Sequence, residues 1–144
     1  MNLVQGMSYR LEGNYYWPLS PVPRFFQGKI TILSESRFEG RLIDEYGVAR
    51  VEGCFDGYYM GFFKTYDKDH PAYHGGSTIP ISYSLDLSEL GGWEGRFTFP
   101  EDEDKEMGFV TMVVVPWCDD WMLFDERTKD RLVFGIRTWH TWCR

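Results

Sequence analysis

Cysteine, basic charge and long apolar runs are all scarce in this sequence. The three cysteines, Cys54, Cys118 and Cys143, are odd in number and form no CxxC pair, which fits neither a disulfide framework nor a structural zinc site. Fifteen Lys and Arg stand against 22 Asp and Glu, a formal net charge of −7. Nucleic-acid binding needs a basic footprint that releases phosphate counterions, and anionic membranes attract the same basic groups. No apolar run approaches the ~20 residues of a membrane helix. The opening Met1–Arg10 lacks the apolar core of a signal peptide. These absences predict a cytoplasmic protein with reduced thiols, and no nucleic acid or membrane among its partners.

What is abundant is aromatic. Six Trp, nine Tyr and eleven Phe, together 18% of the chain, accompany fifteen Gly. Aromatics suit a pleated, half-buried surface and Gly supplies tight turns, so the composition favours strands. With 144 residues, the chain fits one domain spanning 1–144, large enough to bury a core without staples.

Period-2 patterning runs along most of the sequence. Tyr9, Leu11 and Gly13 alternate with Arg10 and Glu12 and predict a first strand; Pro18, Pro21 and Pro23 then predict a loop or edge covering. Lys29–Leu33 and Arg37–Ile43 read as strands, with 44–47 as a turn. Val48–Phe55 alternates, Asp56-Gly57 predicts a two-residue type I′ hairpin, and Tyr58–Tyr66 alternates again. After a polar loop at 67–77, Ile79, Ile81, Tyr83, Leu85 and Leu87 occupy every second position. Gly91-Gly92 marks a turn, and Trp93, Gly95, Phe97 and Phe99 alternate with charged or polar neighbours. The acidic run Glu101–Asp104 predicts an exposed hairpin end rather than a calcium loop, whose alternating oxygen donors it lacks. The continuous apolar run Phe109–Val115 predicts a strand covered on both faces, and Arg131–Trp139 a last strand. The polar stretch 125–130 is open between a helical turn and a loop. Eight or nine short strands with no long helix predict an all-β fold. An antiparallel up-and-down barrel of about eight strands is favoured because no long crossover is visible, with a β-sandwich as the alternative.

Within residues 37–99 the rhythm of Phe38-Glu39-Gly40, Glu52-Gly53-Cys54-Phe55-Asp56-Gly57, Phe62-Phe63-Lys64-Thr65-Tyr66, Ile81-Ser82-Tyr83 and Gly92-Trp93-Glu94-Gly95 resembles avidin-like and related calycin barrels. In those proteins a glycine-flanked strand precedes one ending in Lys-x-Tyr, and a later strand opens on Gly-Trp. The resemblance implies an up-and-down barrel with a ligand-sized mouth or lumen. It implies no particular ligand, because the polar opening strand that grips biotin in the avidin family meets here a differently ordered Glu12–Trp17.

Candidate chemistry is sparse. His70 and His74 flank Pro71 near Asp67 and Asp69, but with no recognisable third ligand a solvated loop is favoured over a metal site. Cys118 lies beside Asp119 and Asp120, which disfavour its thiolate, while Cys143 follows His140 near the chain end and Cys54 reads as packing. Glu52 and Glu94 project from strands with nothing to show that they meet. No nucleophile elbow or phosphate-cradling loop appears, so neither a catalytic residue nor a cofactor is expected. Charges embedded in strands are more informative. Lys64 shares its face with Tyr58, Met60, Phe62 and Tyr66. It either anchors an aromatic pocket or snorkels outward, and snorkelling is favoured because it needs no special geometry. The expectation is a non-catalytic barrel that binds a small apolar or aromatic ligand, lined by Lys64, Tyr66, Tyr83, Trp93 and Arg137. An interaction module, using strand edges and the tail Trp139-His140-Thr141-Trp142 to contact another chain or a second copy, is the alternative. An enzyme with a site at the barrel mouth is a weaker third.

Overall fold

The computed structural model describes residues 2–99 and 108–118, with the backbone of two short strands at 123–125 and 130–132. Eight strands form a closed antiparallel barrel in chain order: β1 (Ser8–Tyr16), β2 (Arg24–Ile32), β3 (Arg37–Asp44), β4 (Gly47–Phe55), β5 (Tyr59–Tyr66), β6 (Ile81–Leu87), β7 (Trp93–Thr98) and β8 (Gly108–Pro116). Closure comes from β8 pairing with β1, in a register running from Tyr9↔Pro116 to Tyr16↔Phe109. The up-and-down barrel is therefore the architecture, and the sandwich alternative is excluded. Closure also leaves none of the eight strands with an unpaired edge, so edge pairing of these strands with another chain is not open to the barrel. A separate hairpin joins β9 (Leu123–Asp125) to β10 (Asp130–Leu132).

Period-2 alternation maps directly onto inside and outside, because successive side chains of a strand point to opposite faces. Tyr9, Leu11, Gly13 and Tyr15 of β1 face the lumen, as do Met60, Phe62, Lys64 and Tyr66 of β5. Small and large residues alternate around the interior, as the limited width of an eight-stranded barrel requires. Gly53 sits between Phe38 and Phe62 in the register, and Gly95 between Leu85 and Val110. A Cβ built on Gly95 would lie 1.9 Å from the Ser84 carbonyl oxygen, so only glycine fits there.

The two ends of the barrel differ. At the closed end Leu11, Ile30, Ile32, Phe38, Met60, Leu85, Trp93 and Met112 fill the lumen. At the other end, called the mouth, lie the β3–β4 turn, the 67–80 connection and the chain that leaves β1 through Trp17.

Several local expectations change. The β4–β5 hairpin exists, but Gly57 does not have a positive φ, so the turn is not type I′. Instead the Asp56 carboxylate accepts the amides of Tyr58 and Tyr59, each at 2.8 Å, and caps a longer loop. The two-residue hairpin loop is Glu45-Tyr46, between paired Asp44 and Gly47. β8 is not covered on both faces: Val110, Met112 and Val114 are buried while Phe109 and Val113 are 40% and 47% exposed. An apolar run there reflects a greasy outer wall as well as a lumen face. β2 begins at Arg24, directly after Pro23, and β6 begins at Ile81, leaving Ile79 in the preceding loop. Where 131–139 was expected to form one strand, β10 is short and starts at Asp130; residues 133–139, like the acidic run 101–104, lie outside the described residues.

Candidate functional site

The site is organised by the β3–β4 turn. Asp44 ends β3 facing the lumen, and its two carboxylate oxygens do separate jobs. Oδ1 accepts the Tyr46 amide at 2.8 Å and fixes the turn. Oδ2 reaches inward, where it accepts the Tyr66 hydroxyl in a very short hydrogen bond and the Lys64 ammonium at 3.4 Å. The neighbouring Glu45 holds the outer layer. Its carboxylate takes both Arg24 hydrogen bonds, at 2.7 and 2.8 Å, and the Tyr15 hydroxyl at 2.9 Å.

Lys64 does not snorkel. Its side chain is 4% exposed, and Asp44's is 2% exposed, so the ion pair is buried inside the barrel. The ammonium lies 5.4, 4.9 and 5.1 Å from the ring centroids of Tyr15, Tyr66 and Tyr83, within cation–π range of all three. Burial works against its charge, but its interactions with Tyr83, whose hydroxyl accepts a hydrogen bond from it, and with Asp44 outweigh burial and hold Lys64 above its ordinary value. Burial, then Asp44, pushes the Tyr66 and Tyr15 phenols up, and burial does the same to Tyr83 despite Lys64. All three phenols therefore stay neutral hydrogen-bonding groups at physiological pH. A protonated lysine is a hydrogen-bond donor and not a nucleophile or Schiff-base former.

Above this floor, aromatic rings form the wall. Tyr83 is stacked between Phe62, at 4.6 Å and 8°, and Phe97, at 5.4 Å and 26°. Trp17 stacks on Phe99 at 5.8 Å and 7°, and meets Tyr46 edge-on at 6.2 Å. The segment after β5 folds back over the mouth: Tyr66 N–H bonds the Ser77 carbonyl, and Tyr73 donates to the Gly76 carbonyl at 2.7 Å. Gly76 lies so close to the Tyr66 ring that a Cβ there would come within 2.3 Å of it. Floor, wall and strap border a cavity of about 210 Å³ that opens at the mouth.

Of the five residues expected from sequence, Lys64, Tyr66 and Tyr83 come together at this cavity. Trp93 faces the lumen as its alternation implied, but at the closed end, where it is part of the core and does not line the cavity. Arg137 lies outside the described residues, as does the tail 139–142. Asp44, Glu45, Tyr15, Trp17 and Tyr46 were missed. The one signal that could have found them is the acidic pair in a two-residue turn between lumen-facing strands. His70 is buried, its Nδ1 accepting the Ala72 amide at 3.0 Å, whereas His74 is exposed. No three His, Cys, Asp or Glu side chains converge among the described residues. Cys54 and Cys118 are exposed free thiols.

Fold and site together define a closed eight-stranded up-and-down barrel with a buried ion pair beneath an aromatic cavity at one mouth. No protein-family model, no curated protein and no solved structure matches the chain.

Proposed function

We propose that this protein is a non-catalytic barrel that binds one small, ring-shaped ligand in its mouth, in the manner of the ligand-holding calycin barrels its hairpin rhythm resembles. The observation that carries this reading is the cavity of about 210 Å³ walled by Tyr15, Trp17, Tyr46, Tyr83, Phe97 and Phe99 above a buried lysine. Ligand sites are mostly apolar concavities with a few convergent polar groups, and eight-stranded barrels have room for a single small molecule. For scale, an apolar protein cavity of about 150 Å³ takes up benzene. The present cavity suits one substituted ring.

Titration of intrinsic fluorescence with small aromatic compounds tests the proposal, because Trp17 sits at the cavity wall. Saturable quenching is expected in the unaltered protein and its loss in Trp17→Phe. Absence of saturable binding of any ring-sized compound up to millimolar concentration would refute it.

A further inference from the structure

The buried lysine narrows the chemistry of the ligand, on the footing that the mouth cavity is a binding site. An ammonium carries three N–H donors. Among the described residues, Lys64 spends one on Asp44, at 3.4 Å, and one on the Tyr83 hydroxyl, and otherwise faces aromatic rings. A side chain 4% exposed and bordering a cavity thus keeps one of its three donors for an acceptor brought into the cavity. Two of the nearby hydroxyls are already committed, Tyr66 to Asp44 and Tyr15 to Glu45, and the Tyr83 oxygen accepts from Lys64.

Charge decides what kind of acceptor fits. Each cation at the site already has its carboxylate, Lys64 with Asp44 and Arg24 with Glu45. An anionic ligand would bring a third negative charge beside two carboxylates, with no spare cation to neutralise it. A cationic ligand would have to share an aromatic box whose centre Lys64 holds. A buried charge left uncompensated is strongly unfavourable. We infer that the ligand is an uncharged planar ring bearing a carbonyl-type acceptor, and that this acceptor takes a hydrogen bond from Lys64 while the ring stacks in the aromatic mouth.

Four probes of nearly equal size separate the possibilities: benzamide, benzoate, benzylammonium and toluene, titrated against the full chain by calorimetry and by NMR. Benzamide is expected to bind about tenfold tighter than toluene, the scale of one charge-assisted hydrogen bond. Benzoate and benzylammonium are expected to bind more weakly than benzamide by a similar factor. In the Lys64→Met/Asp44→Asn double variant, which leaves no unpaired charge, the preference for benzamide over toluene should vanish while toluene still binds. Tighter binding of either ion, or a benzamide preference that survives in the double variant, would overturn the inference and leave the binding site standing. Equal binding of toluene and benzamide to the unaltered protein would do the same without any variant. Failure of all four probes to bind would overturn the binding-site reading and this inference with it.

Discussion

Breaking the pair at the cavity floor should be costly, and breaking it twice should be cheaper than the sum. Lys64 and Asp44 lie 3.4 Å apart with both side chains almost fully buried. At an effective dielectric of about 20, charges separated by that 3.4 Å attract by about 5 kcal/mol. Desolvation takes back several kcal/mol per ion, so the intact pair contributes little net stability. Removing one partner is different, because the survivor is left buried and uncompensated at a cost of about 3–5 kcal/mol. A domain of this size has about 5–15 kcal/mol in total, so Lys64→Met consumes a large share of it. With a urea m-value of about 2 kcal/mol per molar, the unfolding midpoint falls by about 1.5–2.5 M. Asp44→Asn is expected to lose a comparable amount, since it also weakens the anchor of Tyr66. The double variant should recover at least about 2 kcal/mol relative to the sum of the singles, a coupling typical of residues in direct contact. Equilibrium unfolding in urea at pH 7, followed by circular dichroism and fluorescence, measures all four corners of the cycle. Additivity within about 0.5 kcal/mol, or a loss below about 1 kcal/mol for Lys64→Met, would mean that the lysine reaches water and that the buried-pair reasoning fails.

Three other outcomes follow from the same geometry. Gly95→Ala should destabilise the barrel by about 1–3 kcal/mol, because its methyl meets the Ser84 carbonyl at 1.9 Å and the paired strands must part; an unchanged thermal midpoint would contradict this. Gly76→Ala should displace the Tyr66 ring or lift the strap from the mouth, visible as NMR shifts at Tyr66 and Tyr73 and as weaker ring binding, with far smaller shifts at the closed end. His70 is held below its ordinary value of 6.5 by burial and then by Arg41, so the unfolded chain binds its proton more readily than the native one. Its contribution is complete above pH 6.5 and is lost as pH falls through the depressed value, and His70→Gln should flatten the fall in urea midpoint between pH 7 and 5.

Much of the barrel was legible because its physics is local. A strand with one face in the lumen and one in water must alternate, and 79–87 and 58–66 alternate plainly. The same rule marks the apolar company of Lys64, yet it does not tell a lumen from an outer wall, and on an outer wall snorkelling needs no special geometry. Ring closure between β1 and β8, about a hundred residues apart in sequence, decides that question and turns the Lys64 face inward. Height along the barrel axis is equally invisible in the alternation. Trp93 and Tyr83 both occupy lumen positions, but the register sets Tyr83 against Phe62 near the mouth and Trp93 against Leu87 and Met112 near the closed end.

The Asp44-Glu45 turn shows the remaining limit. Its residues look like ordinary turn formers, and one oxygen of Asp44 does serve the turn. Their other partners, Tyr15, Arg24, Lys64 and Tyr66, lie 20 to 30 residues away. By itself, then, the sequence determined an all-β domain of sequential hairpins and which side chains share a face, since periodicity depends only on neighbours along the strand. Tertiary structure alone decided which face is the lumen, which end is plugged, and that a turn carboxylate neutralises a lysine inside it, because each depends on strands brought together by closure of the ring.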